Sequence, residues 1–149
     1  MPNSKLFLLF PPFLLIILSL PPPIAMAPLI DSHLTNKRGL RVGALNVTGI
    51  NEQDKQDKIL TQLKDDLVDI MVLTDTKITE ATARESRLPE LQNAFVCNAI
   101  DSSRGVLITA RPGLDVVMDN PQIHDNGNRL SVDISSPLCE KFTLYGIYG

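Results

Sequence analysis

The sequence predicts an α/β fold. Between residues 40 and 73 a buried strand, an amphipathic helix and a second buried strand follow one another. After residue 105 short apolar and alternating runs, separated by turn residues, read as an antiparallel meander. At 149 residues the chain is long enough for one domain of ordinary size.

Residues 40–47 form an apolar, β-branched run bounded by Gly39 and Thr48-Gly49, which predicts the first strand. Asn51 reads as an N-cap, with Glu52 and Asp54 in the first turn, where the helix dipole favours acids. Ile59, Leu60, Leu63 and Leu67 recur at helical spacing and give one apolar stripe. Asp54, Lys55, Asp57, Lys58 and Asp65 are left to water. Residues 68–73, Val-Asp-Ile-Met-Val-Leu, predict the second buried strand and complete a β-α-β opening. Residues 79–91 are a further helix candidate, ended or kinked near Pro89. Residues 105–110 predict a third strand, Arg111-Pro112-Gly113 a turn, and residues 114–118 a fourth strand. The Asn, Asp, Gly and Pro content of residues 119–128 predicts a loop. Residues 130–134 alternate as a half-exposed strand, and residues 142–148 form the last one.

Residues 1–27 stand apart. A start with one lysine, an apolar run over 6–20 and the small-x-small Ala25-Met26-Ala27 read as a secretory signal peptide or hydrophobic leader. As a helix the run would rise only about 22 Å, at roughly 1.5 Å per residue. That is short of a hydrocarbon core about 30 Å thick. Pro11-Pro12 also divides it, so no stable membrane span is expected. An upstream segment unrelated to the domain is the remaining alternative. Residues 28–39 read as a linker, which leaves residues 40–149 as the folded domain.

The formal net charge of −3 and pI near 5.3 argue against a protein that holds nucleic acid by a large basic surface. They leave room for a metal-dependent nuclease, which gathers carboxylates around a cation. Cys97 and Cys139 are too far apart in sequence for a zinc pattern. They read as two buried small residues, with a disulfide open to a secreted chain.

Five short motifs occur in a set order. They are Leu45-Asn46-Val47-Thr48-Gly49 after the first strand and Leu73-Thr74-Asp75-Thr76-Lys77 after the second. Arg104-Gly105-Val106-Leu107-Ile108, Asn128-Arg129-Leu130 and Ile147-Tyr148-Gly149 follow. In this order the chain resembles the endonuclease/exonuclease/phosphatase (DNase I-like) family. In style it is closest to the endonuclease domains of non-LTR retrotransposons. The resemblance implies the amino-terminal half of a two-sheet α/β sandwich flanked by helices. It also implies a magnesium ion at the strand ends and hydrolysis of a phosphodiester or phosphomonoester, with nucleic acid as partner.

Carried over residue by residue, the resemblance places Asn46 beside the metal, where an amide oxygen suits a hard cation. Asp75 takes the place of the family's metal-binding glutamate. Its side chain is shorter by one C–C bond, about 1.5 Å. The plainer reading makes Asp75 a strand-end or cap carboxylate and Asn46 a turn asparagine. Tyr148 matches the tyrosine near the scissile phosphate, whose phenol can donate to a developing phosphorane oxygen. It also reads as a strand-end aromatic. Arg104 is either a phosphate contact or a surface residue flanking a strand. Arg129 reads as structural at its strand start, and His33 and His124 as exposed loop histidines. Gly39, Gly43 and Gly49 form no phosphate loop, because no Gly-Lys-Ser/Thr follows.

The family's Asp-x-Asn pair, later aspartate and Asp-His pair would fall after Gly149. The expectation is therefore an inactive chain of marginal stability, whose first sheet leaves an apolar face bare because the second sheet is largely missing. A secreted phosphodiesterase or phosphatase of the same superfamily acting on other substrates is the alternative. So is a non-catalytic binding protein.

Overall fold

The computed structural model describes residues 39–99, 104–124 and 127–149, together with the backbone of residues 5–10 and 14–19. The fold is mixed α/β with two sheets and few helices. In chain order the elements are β1 (Lys5–Phe10), β2 (Leu14–Ser19), β3 (Val42–Asn46), α1 (Gln53–Asp65), β4 (Ile70–Thr74), α2 (Glu80–Arg84) and α3 (Pro89–Gln92). Then come β5 (Phe95–Cys97), β6 (Val106–Ala110), β7 (Val117–His124), β8 (Arg129–Ser136) and β9 (Cys139–Tyr148).

One sheet has the order β3-β4-β6-β5, with β3 and β4 parallel as the β-α-β opening requires and the other pairs antiparallel. The second has the order β1-β2-β9-β8-β7 and is antiparallel throughout. The predicted meander is thus β7-β8-β9, while residues 106–110 belong to the other sheet. Strand β4 is buried on both faces. Ile70 and Val72 face an inter-sheet core with Leu130, Val132, Ile134, Phe142 and Leu144. Met71 and Leu73 face a second core with Leu60 and Leu63 of α1 and Leu91 of α3. The expectation of a bare apolar face is corrected by this packing, because the second sheet covers the first.

Several element boundaries differ from the sequence reading, each for a physical reason. Glu52, not Asn51, is the N-cap of α1, and it makes no side-chain capping bond. The chain turns through positive φ at Thr48 and Gly49, and Ile50 is then pinned outside the helix, its N–H donating to Thr76 O and its carbonyl accepting from Gln56 Nε2. Leu67 leaves the apolar stripe: it lies beyond the helix at φ +57° and is exposed. Buried Gln56 takes a place on the inner face, because Ile50 O and Ser86 Oγ satisfy its amide. Pro89 opens α3 at its first turn instead of ending a longer helix. The three-residue β5 was missed, being too short to show a period.

The loop expected over 119–128 is strand β7 as far as His124. Pro121 and Asp119 are tolerated because β7 is an edge strand with a register shift between Asp119 and Gln122. Strand β8 is more buried than a half-exposed strand, with Leu130, Ser131, Val132 and Ile134 all enclosed. The leader forms β1 and β2, paired onto β9. Its expected cleavage point and the linker up to residue 38 lie outside the described residues. No helix among the described residues is long and apolar enough to cross a membrane. Both cysteines are free thiols, Cys97 buried and Cys139 half-buried, and burial pushes both up.

On the outer face of β8, Asp133 is held below its ordinary value, chiefly by the Thr143 hydroxyl 2.7 Å away. Partial burial opposes this, while Asn120 and Lys141 add to it. A depressed carboxylate stabilises the fold above its unfolded value, and that contribution is lost as pH falls through the folded value. Thr143→Val is therefore expected to lower stability at neutral pH, by an amount that shrinks below the ordinary carboxylate value of 3.8. Urea unfolding at a series of pH values measures it.

Candidate functional site

The parallel pair β3–β4 ends with Asn46 opposite Thr74. The two chains then leave the sheet side by side. Val47 N–H donates to Thr74 O at 2.9 Å, Gly49 N–H to Asp75 O at 2.6 Å, and Ile50 N–H to Thr76 O at 2.9 Å. On the other flank Thr76 N–H donates to Gly105 O and Lys77 N–H to Arg104 O, at 3.2 and 2.8 Å. Asp75 therefore sits in the middle of three adjoining backbone segments that prolong β3, β4 and β6.

Backbone strain collects here. Thr48, Asp75, Lys77 and Arg104 have φ of +47, +55, +56 and +67°, a region L-residues seldom adopt. Such residues persist only where their surroundings fix them, and they gather at functional sites. Gly105 has φ +99°, and a Cβ there would lie 2.6 Å from Thr76 Oγ1, so only glycine fits.

Asp75 is 9 % exposed, and Lys77 Nζ lies 4.0 Å from its Oδ2. Asn46 is exposed, and its Oδ1 accepts from Thr48 N–H at 3.1 Å and from the Thr48 hydroxyl at 3.4 Å. Beside them a cleft of about 270 Å³ is lined by Thr48, Gly49, Asn51, Glu52, Lys55 and Lys77. Lys55 Nζ crosses one wall to donate to Thr48 O at 3.0 Å.

Tyr148 comes from the other sheet. A Cβ on Gly146 would lie 2.7 Å from Val106 and 2.8 Å from Val72, so β9 passes close over β4 and β6. Arg129, which pairs with Ile147, has its carbonyl 3.8 Å from Cys97 Sγ, and Cys97 pairs with Val106. Both contacts set the carboxyl end of β9 over the Val106 end of β6, which is also the Thr74 end of β4. Tyr148, two residues past Gly146, is held there by its N–H donating to Asn128 O at 2.8 Å. Asn46, Asp75 and Tyr148 thus share one end of the two-sheet stack.

Arg104 is exposed at the same end, and Arg129 opens β8 as expected. His124 is the correction. It is half-buried in β7 opposite Arg129 and is not a loop residue. His33 lies outside the described residues. Sequence reasoning missed Lys77 as the partner of Asp75. It also missed three buried oxygens at this end that have no hydrogen-bond partner among the described residues, Thr74 Oγ1, Thr76 Oγ1 and Asn128 Oδ1. Thr74, Asp75, Thr76 and Lys77 are consecutive, but what brings these groups together is the pairing of the segments after the strands end, which the order of residues does not signal. Among the described residues no group of three or more His, Cys, Asp or Glu is gathered where it could hold a metal ion. No protein-family profile and no curated protein matches the chain.

Proposed function

We propose that the chain carries the amino-terminal portion of a DNase I-like endonuclease/exonuclease/phosphatase domain. Such a domain acts on phosphodiesters of nucleic acid with magnesium. With the residues present here it binds phosphate-bearing strands weakly and does not turn them over. The observation that carries this reading is the meeting of Asn46 and Asp75 at the carboxyl ends of adjacent parallel strands, with Tyr148 reaching the same end from the facing sheet. The ordered motifs of the sequence and the strained backbone around Asp75 support it.

The fit to magnesium is partial. Asp75 supplies one carboxylate and Asn46 one amide oxygen that already accepts from Thr48. Magnesium is commonly held through one or two carboxylates with several waters kept, so these two donors hold at most a hydrated ion. One observation favours the non-catalytic binding reading over catalysis. The Lys77 ammonium stands beside the carboxylate that a cation would need, and with Lys55 it gives the cleft two positive charges against Glu52.

The test is fluorescence anisotropy of a labelled oligonucleotide at low salt, with a parallel cleavage assay in magnesium. Expected are a dissociation constant on the order of 10⁻⁴ to 10⁻⁶ M that weakens with salt, a clear loss in the Lys55→Glu/Lys77→Glu variant, and no cleavage. Flat anisotropy would sink the binding reading. Magnesium-dependent cleavage that disappears in Asp75→Ala would overturn the claim of inactivity.

A further inference from the structure

The amino-terminal apolar segment is joined to the folded domain through β9. On one side β9 pairs with β8. On the other, six residues of β2 pair with it, from Leu14 opposite Tyr148 to Ser19 opposite Thr143. Without β2, residues 143–148 would form a sheet edge with a row of unpaired N–H and C=O groups, which invites strands from other chains.

The opposite edge shows how this chain treats a strand that, among the described residues, is paired on one side only. In β7, Pro121 removes a backbone donor and the register shifts between Asp119 and Gln122. Asp119, Asn120, Pro121 and Gln122 are all exposed there. Strand β9 has none of these devices where it meets β2. Its residues Thr143-Leu144-Tyr145-Gly146-Ile147-Tyr148 include no proline and no charge, and its own register shift lies at the far end, near Cys139. An edge built in this way is made to be paired.

The leader sequence suits the donor role. Proline pairs break helices, so Pro11-Pro12 spoils a continuous apolar helix. The same prolines, with Phe13, separate two six-residue strands that pair antiparallel over their full length. Three-residue connections are common between such strands.

We propose that the amino-terminal segment is a resident strand donor. The β1–β2 hairpin stays with the mature protein, closes the β9 edge, and through the Leu14–Tyr148 pairing helps hold the end of β9 in place. This does not rest on the functional reading of Tyr148, because it concerns backbone pairing alone.

Hydrogen exchange on the full chain, resolved to single amides, tests it. Successive N–H groups of a strand point to opposite sides. If β2 is paired, consecutive amides from Thr143 to Tyr148 all resist exchange. If β9 is an edge, protection alternates, and the proposal falls. Ile16→Pro and Ile17→Pro, made separately, remove neighbouring N–H groups, one of which must be directed at β9. In that variant alternate amides from Thr143 to Tyr148 are expected to exchange at least ~10-fold faster, while β4 keeps its protection. Loss of β4 protection in a variant would leave the decision to the pattern of the unaltered chain. Intact mass of the protein from its own cells gives the second readout. A chain that still contains residues 5–19 agrees with the proposal, and one that begins after Ala27 overturns it.

Discussion

Asp69→Ala is expected to destabilise the fold by about 1.5–3 kcal/mol, the scale for a hydrogen bond to a charged group, because the Arg111 side chain left behind is 28 % exposed to water. Asp69 is 4 % exposed just before β4. Its Oδ1 accepts from the Arg111 guanidinium at 2.8 Å and its Oδ2 from Arg41 N–H at 2.9 Å. Its backbone joins the same partners, with Asp69 N–H donating to Arg41 O and Arg111 N–H to Asp69 O. One carboxylate therefore ties the start of β3, the start of β4 and the end of β6. Alanine leaves a guanidinium and an amide without their acceptor. Asp69→Asn keeps one acceptor and is expected to fall between alanine and wild type. Asp57, bridged to Arg87 in the open, should change stability by less than about 1 kcal/mol when made alanine. Urea unfolding of the three variants gives the comparison.

Gly146→Val is expected to cost about 3 kcal/mol or more through overpacking. A Cβ at Gly146 would lie 2.7 Å from a Val106 methyl and 2.8 Å from a Val72 methyl, and both valines are fully buried. Neither can retreat without moving its strand, because β4 and β6 are packed on their other faces by the helices. Gly146→Ala should show part of the same loss. Gly39→Ala, where no atom of the described residues lies within 4 Å, serves as the control and should be near neutral. A Gly146→Val protein as stable as wild type would mean that the two sheets do not approach as described.

The first half of the fold was legible because its pattern is locally dictated. Buried β4 is a continuous apolar run, and α1 carries Leu60 and Leu63 at helical spacing. The second half was less so. Strand β7 contains Pro121 and Asn120, residues that argue for a loop until an edge position is known. That the leader would pair with β9 depends on contacts between residues more than a hundred apart in sequence, which periodicity does not report. At the candidate site Asn46, Asp75 and Tyr148 were marked in advance by motif order. The loop backbones that hold them, and the Lys77 ammonium beside Asp75, were not, because both arise from the pairing of segments after the strands end.

We propose that the shared end of β3, β4 and β9 handles a cation and phosphate. Amide chemical shifts followed by NMR during a magnesium titration test it most directly. Shifts are expected to be confined to residues 46–50, 74–77 and 148, at millimolar magnesium and without saturation at lower levels, and to disappear in Asp75→Ala. Shifts that instead follow the exposed acids of α1 and persist unchanged in Asp75→Ala would contradict it.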